Sequence, residues 1–277
     1  GLIDAHAGAL GTLGAFAGDT ASIHRHLALI AGTSSCVMAL SPDPRPIHGV
    51  WGPYQGAVLP DAWLNEAGQS ATGALLDHVI RWHGAGGEPT AETHQRIIAR
   101  VNELRVAEPD LAPRLHVLPD FHGNRSPLAD PYALGVISGL TLDSDFDSLT
   151  RLYWRTAVGI VLGVRHILET FNAKGYAIGT LHVTGGHTHN PLLMELYAVA
   201  TDCTVVEPGT EDATLLGTAM VAATAAGLYG SLSAAAMAMQ QGGESRRPRA
   251  DARERLDRDY RVFLRMLDQR QEVERIG

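Results

Sequence analysis

Leu181-His182-Val183-Thr184-Gly185-Gly186-His187-Thr188-His189-Asn190 is the stretch from which the fold can be read. A short strand pattern ends in paired glycines, and an apolar helical pattern follows from Asn190 to Ala200. Thr204 to Val206 then reads as a second strand and Asp212 to Gly227 as a second helix. Strand, turn, helix, strand and helix make a βαβα unit, which calls for a parallel or mixed sheet with helices on both faces. The Gly185-Gly186 pair is either a tight turn or a place where backbone approaches a flat ligand. Asn190 then caps the next helix or bonds a base.

On the N-terminal side, residues 5–17 are rich in Ala, Gly and Leu and predict a helix. Residues 27–31 and 36–40 predict two strands closing a hairpin over Gly32 to Ser35. Ser41 to Pro60 holds five prolines and reads as loop and short strand. Ser70 to Trp82 predicts a helix entered by Glu66 to Gly73, and Glu92 to Arg105 a polar helix of surface character. Strands are expected at Leu115 to Leu118 and Leu134 to Ile137, with a polar loop from Phe121 to Pro127 between them. The most regular segment is 146–172, where apolar residues from Leu149 to Phe171 recur at spacings of three and four and predict a long core helix.

Beyond Gly243 the composition shifts. Glu244 to Arg275 carries ten Arg against eight acids, with Leu256, Tyr260, Phe263, Leu264 and Leu267 on one helical face. Asp251–Arg255, Glu254–Arg258 and Asp257–Arg261 are spaced for i,i+4 ion pairs. The expected division is a body of residues 1–243 and an amphipathic helical tail of 244–277 docked on it.

Composition narrows the function. A chain of 277 residues, 45% hydrophobic and 19% charged, suits a soluble α/β enzyme. Its net charge of −8 argues against a sequence-independent grip on nucleic acid. No apolar run approaches the roughly 20 residues that span a bilayer. Cys36 and Cys203 lie in strand-like segments without paired spacing, so two buried thiols in the cytoplasm are expected. His182, His187 and His189 match no zinc pattern. GxxxxGK[ST] and the protein-kinase signatures are absent, which excludes the two familiar phosphoryl-transfer scaffolds, and no GxGxxG follows a strand, which disfavours a dinucleotide fold.

The residues left to carry chemistry sit at turns. Asp4, entering the first helix, is an N-cap or a general base, and His6 beside it can hydrogen-bond a substrate hydroxyl or pack against a loop. Gly32-Thr33-Ser34-Ser35 is a hairpin turn or an anion nest.

Taken together, Gly1-Leu2-Ile3-Asp4-Ala5-His6-Ala7-Gly8, Trp63 to Gly73 and Gly123-Asn124-Arg125-Ser126-Pro127-Leu128-Ala129-Asp130-Pro131 resemble the FGGY carbohydrate kinases. The resemblance is narrower to the pentulose kinases that act on ribulose, and it covers residues 1 to about 230 in order. It implies an actin-like ATPase (ribonuclease H-like) domain with a mixed central sheet, helices on both faces and a C-terminal helix. By that resemblance Asp4 is the base that deprotonates the sugar hydroxyl and His6 touches the sugar. Gly32 and Thr33 match the phosphate turn. Gly73 and Asp77 match positions near the nucleotide's phosphates and ribose, although Asp77 stands where the glycerol-kinase branch has a longer amide. Gly185, Gly186 and Asn190 match the adenosine turn.

The partners implied are ATP, Mg²⁺ and a ketopentose such as D-ribulose. The protein supplies no direct metal ligand, unless Asp4 serves as one. An N-terminal domain with an Asp-x-Gly-Thr loop and most sugar contacts is implied too, and its motifs are not found. The chain is therefore expected to be a C-terminal half, inactive alone, with homo-oligomerisation left open. Rival readings are a non-enzymatic actin-like nucleotide-binding module and a kinase of another polyol or heptulose.

Overall fold

The computed structural model describes residues 2–19, 21–248 and 252–276. One seven-stranded mixed sheet runs through the molecule in the order β3–β4–β2–β1–β7–β8–β9. Its centre is β1 (His26–Ala31), antiparallel to β2 (Ser35–Ser41) and parallel to β7 (Thr180–Thr184). Beyond β2 lie β4 (Trp63–Gln69) and β3 (Trp51–Gln55). Beyond β7 lie the parallel β8 (Thr204–Pro208) and the antiparallel edge strand β9 (Gly243–Arg246). A separate small sheet pairs β5 (His116–Leu118) with β6 (Val136–Ser138).

Because successive strand side chains point to opposite faces, β1 feeds two cores. Leu27, Leu29 and Ala31 enter one, with Val37, Ala39 and Ala67. Ala28 enters the other, with Met38, Leu40 and Leu64. The first core is covered by α2 (Gly73–Trp82), α3 (Ala91–Ala107), α4 (Phe146–Asn172), α5 (Pro191–Thr201) and α8 (Arg253–Glu274). The second is covered by α1 (Asp4–Leu13), α6 (Ala213–Ala225) and α7 (Leu232–Met239). Helix α4 lies where its spacing predicts. Its start is capped by Asp145, which accepts from the Ser148 N–H at 2.8 Å, and 18 of its 27 residues are buried.

Several local readings need correction. Residues 66–69 belong to strand β4 rather than to the approach of a helix, and α2 starts only at Gly73. Cys36 is half-buried in β2, while Cys203 is buried but lies between α5 and β8 rather than in a strand. Both thiols are free. The tail begins with a strand, β9, that extends the main sheet before α8 docks through Leu256, Tyr260, Phe263 and Leu267. Its ion pairs mostly reach outward: Asp257 meets Arg165 of α4 at 2.6 Å and Arg258 meets Asp110. Asp251 lies outside the described residues. Among the described residues no helix is long and apolar enough to cross a membrane.

Candidate functional site

The β1–β2 hairpin ends in a turn where Gly32 N–H donates to the Ser34 carbonyl at 2.9 Å. The start of α2 is bonded directly onto it. Gly73 N–H donates to the Gly32 carbonyl at 2.9 Å, Thr72 N–H to the Thr33 carbonyl at 2.9 Å, and Thr72 Oγ1 to the Gly32 carbonyl at 3.0 Å. A Cβ at position 73 would stand 2.6 Å from that carbonyl oxygen, so only glycine permits this approach. At Gly32 a Cβ would meet nothing within 4 Å, which leaves backbone bare toward the open cavity.

The Gly-Gly turn comes to the same place. Gly185 holds φ +85°, a conformation that favours glycine, and its Cβ would lie 2.6 Å from the Ala31 carbonyl oxygen. A 3₁₀ turn over Gly186–His189 follows, and Asn190 caps α5, accepting from the N–H groups of Leu192 at 3.1 Å and Leu193 at 3.4 Å. Buried His187 bridges the two turns. Its Nε2–H donates to the Gly32 carbonyl at 3.1 Å, so Nδ1 accepts from the Tyr197 hydroxyl at 2.9 Å. Burial pushes the His187 imidazole down to about 4 and raises the Tyr197 phenol, which keeps both neutral.

Gly32, Thr33, Gly73, Asp77, Gly186 and Asn190 line one cavity of about 440 Å³. Its wall holds a run of hydrogen bonds that sequence reading missed. Asp77 of α2 accepts from His94 Nε2–H of α3 at 3.0 Å. With Nε2 carrying the proton, His94 Nδ1 accepts from the Tyr153 hydroxyl of α4 at 2.9 Å. Tyr153 accepts from Asn190 Nδ2 at 3.0 Å. Burial raises the Tyr153 phenol, so it stays protonated. These partners lie 17, 59 and 37 positions apart, and α3 carries a surface pattern, so no local signal could pair them. Gly185 is absent from the cavity wall and instead packs on Ala31 beside it.

Asp4 and His6 lie elsewhere. Asp4 is the first residue of α1, not its cap. The cap position is Ile3, which has no side-chain bond to give. The Asp4 carboxylate is exposed and accepts from the Ala5 N–H at 2.7 Å, leaving oxygen lone pairs free for a substrate. His6 Nε2 is 3.0 Å from Glu66 Oε2 on β4, both side chains being mostly covered. Cys36 sits among these groups. Burial pushes its thiol up, Glu66 and Asp4 act in the same direction, and Arg125 pulls it down. Cys36 and Glu66 are on the strand faces of Met38 and Leu64, the face covered by α1. Asp4 and Glu66 therefore belong to the face covered by α1, and the cavity to the opposite face, with Gly32 and Thr33 of the hairpin turn in its wall.

Residues 27–226 match the model of the C-terminal domain of the FGGY family of carbohydrate kinases. An FGGY carbohydrate kinase domain-containing protein of Xenopus laevis is 41% identical over 99% of the chain and 53% of its own length. A D-ribulokinase of Saccharomyces cerevisiae is 34% identical over 81% of the chain and 35% of its own length. The chain spans about half the length of the first of these relatives. The crystal structure of a xylulose kinase from Rhodospirillum rubrum superposes with a TM-score of 0.76 at 22% identity, over 97% of this chain and 50% of that one. This likeness shows the actin-like ATPase fold.

Proposed function

Since the chain belongs to the FGGY family of carbohydrate kinases and carries its C-terminal domain, we propose that it is the ATP-binding half of a ketopentose kinase acting on a D-ribulose-like sugar. One observation carries the reading. Six residues from three separate segments converge on one cavity, and the exposed Asp4 carboxylate stands on α1, which covers the other face of the sheet.

The cavity suits ATP. Bare backbone at Gly32 and Gly186 lets phosphates approach closely, the one atom of the described residues within 4 Å of a Cβ at Gly186 being the Gly32 Cα at 3.9 Å. Asn190 at the start of α5 and Asp77 on α2 offer polar groups to the base and ribose. The Mg²⁺ ion would be carried by the phosphates, with Asp4 as an optional further ligand. Bound there, Mg²⁺ would neutralise charge on the transferred group.

Asp4 accepts the proton of the sugar hydroxyl as that oxygen bonds the γ-phosphorus. The bond from the γ-phosphorus to the β,γ-bridging oxygen breaks, and ADP leaves with its electrons. General-base positioning of this kind contributes about 10²–10⁴ in rate. His6, braced on Glu66, orients the sugar. On this reading residues 1–243 are the nucleotide-binding unit and 244–277 its tail, joined to the main sheet through β9, in a cytoplasmic protein whose N-terminal domain supplies most sugar contacts.

The test is ribulose-dependent ADP formation by the chain alone and after fusion to the N-terminal half of a ribulose-kinase relative. Turnover is expected only for the fusion, and it should fall by about 10² or more with Asp4→Asn. Undiminished kcat in that variant would remove Asp4 from the role of base.

A further inference from the structure

Between the Gly49–Trp51 segment and loop 121–134 lies a second cavity of about 900 Å³. Its walls are pinned together. Ser126 Oγ donates to the Gly49 carbonyl at 3.0 Å, and Gly49, at φ +74°, approaches so closely that a Cβ would lie 1.8 Å from the Pro127 carbonyl oxygen. Asn124 Nδ2 donates to both oxygens of Asp120, at 3.0 and 3.1 Å, while its Oδ1 accepts from the Leu128 N–H at 3.1 Å. Asp120 pairs in turn with buried Arg270 of α8, which also donates to the Leu134 carbonyl at 3.3 Å. Walls fixed before a ligand arrives lose little entropy on binding.

Arg125 enters this cavity with its donors largely unused. Its only polar partner among the described residues is Cys36 Sγ, a weak acceptor at 3.7 Å, and its guanidinium lies 5.3 Å from the centre of the Trp51 ring. Arg155 and Arg270, by contrast, each meet an aspartate. The rest of the lining is aromatic and open: Trp51 is 45% exposed and Tyr132 87%, with Phe121 beside them. A bare anion has no use for aromatic walls of this size, and an apolar ligand none for a guanidinium. The combination suits a molecule with an anionic end for the Arg fork and a carbon skeleton whose C–H face lies on rings. Arg125 reaches Cys36 near the start of β2, next to the hairpin turn whose Gly32 and Thr33 line the nucleotide cavity.

We propose that this cavity is a binding site for a phosphorylated sugar, with the phosphate held by Arg125 and the sugar skeleton against Trp51. The site goes beyond the kinase reading, and rests on it only for the choice of phosphate over carboxylate. The ligand is either the product of the transfer or a phosphosugar supplied separately.

Calorimetric titration of the chain with ribulose 5-phosphate, glucose 6-phosphate, ribulose and inorganic phosphate tests it, with MgADP titrated in parallel. Phosphosugars should bind, and Arg125→Ala should weaken them about ten- to a hundredfold, as loss of a hydrogen bond to a charged group does, with ADP affinity unchanged. Trp51→Leu should weaken phosphosugars and leave inorganic phosphate as it was. Tighter binding of ribulose 5-phosphate identifies the product as the source, and tighter binding of glucose 6-phosphate a separate phosphosugar; either supports the site. Equal phosphosugar affinity in the parent and Arg125→Ala, inorganic phosphate binding as tightly as the sugars, or no phosphosugar binding at all overturns it, whatever ADP does. Phosphosugar binding without ADP binding would keep this site and overturn the nucleotide reading.

Discussion

Acid should loosen the two turns at the cavity through His187, and the size of the effect follows from its surroundings. The ring is buried, donates to the Gly32 carbonyl and accepts from Tyr197, and burial holds its pKa at about 4 against an ordinary 6.5. The unfolded chain binds a proton on this ring below about pH 6.5 and the folded chain does not until about pH 4, so stability present at neutral pH is lost as pH falls between those values. Between about pH 7.5 and about pH 5 the linkage amounts to about 2 kcal/mol. His182 is buried too, its pKa pushed down to about 3, and contributes a similar loss. His187→Gln keeps a donor for Gly32 and removes the titration. Urea midpoints of both proteins should therefore be compared at the two pH values. The variant should lose about 2 kcal/mol less than the parent on acidification, because carboxylates and His182 act equally in both. Equal acid sensitivity of the two proteins would refute the assignment of a buried, neutral His187.

Tyr153→Phe removes the hydroxyl between His94 and Asn190 without changing the packed volume. It should cost about 1–2 kcal/mol, a drop in Tm of roughly 2–8 °C by calorimetry, and weaken ADP binding. Asp259→Ala strands the Arg155 guanidinium, 3% exposed, under α8, with the Leu115 carbonyl and His116 as its remaining hydrogen-bond partners among the described residues. A loss of about 3–5 kcal/mol in urea unfolding is expected.

Legibility tracked how local the physics is. Helix α4 could be read from sequence because a core helix repeats its apolar residues at three and four over 27 positions. Gly32-Thr33 and Gly186 could be singled out because glycines at strand ends mark where backbone must approach something, whereas Gly73 and Asp77 followed only from the family resemblance. Strand β4 was not legible: Glu66, Gly68 and Gln69 have poor strand character, and the segment is extended because it is paired on both sides, by β2 and β3. Strand β9, Gly243–Arg246, is charged and exposed and owes its form to β8 alone. The Asp77–His94–Tyr153–Asn190 run and the His6–Glu66 pair are products of tertiary packing with no spacing to betray them. Asp4 lies one position later than a cap because Ile3 takes the extended conformation before the helix.

In the run from Asn190 to Asp77 every donor points the same way, amide to phenol, phenol to imidazole, imidazole to carboxylate. Aligned dipoles polarise one another, so a ligand that neutralises Asp77 weakens the pull on each group behind it, out to the amide of Asn190. The two ends of the cavity are thus electrically in series. What binds at one end is sensed at the other without any atom having to move.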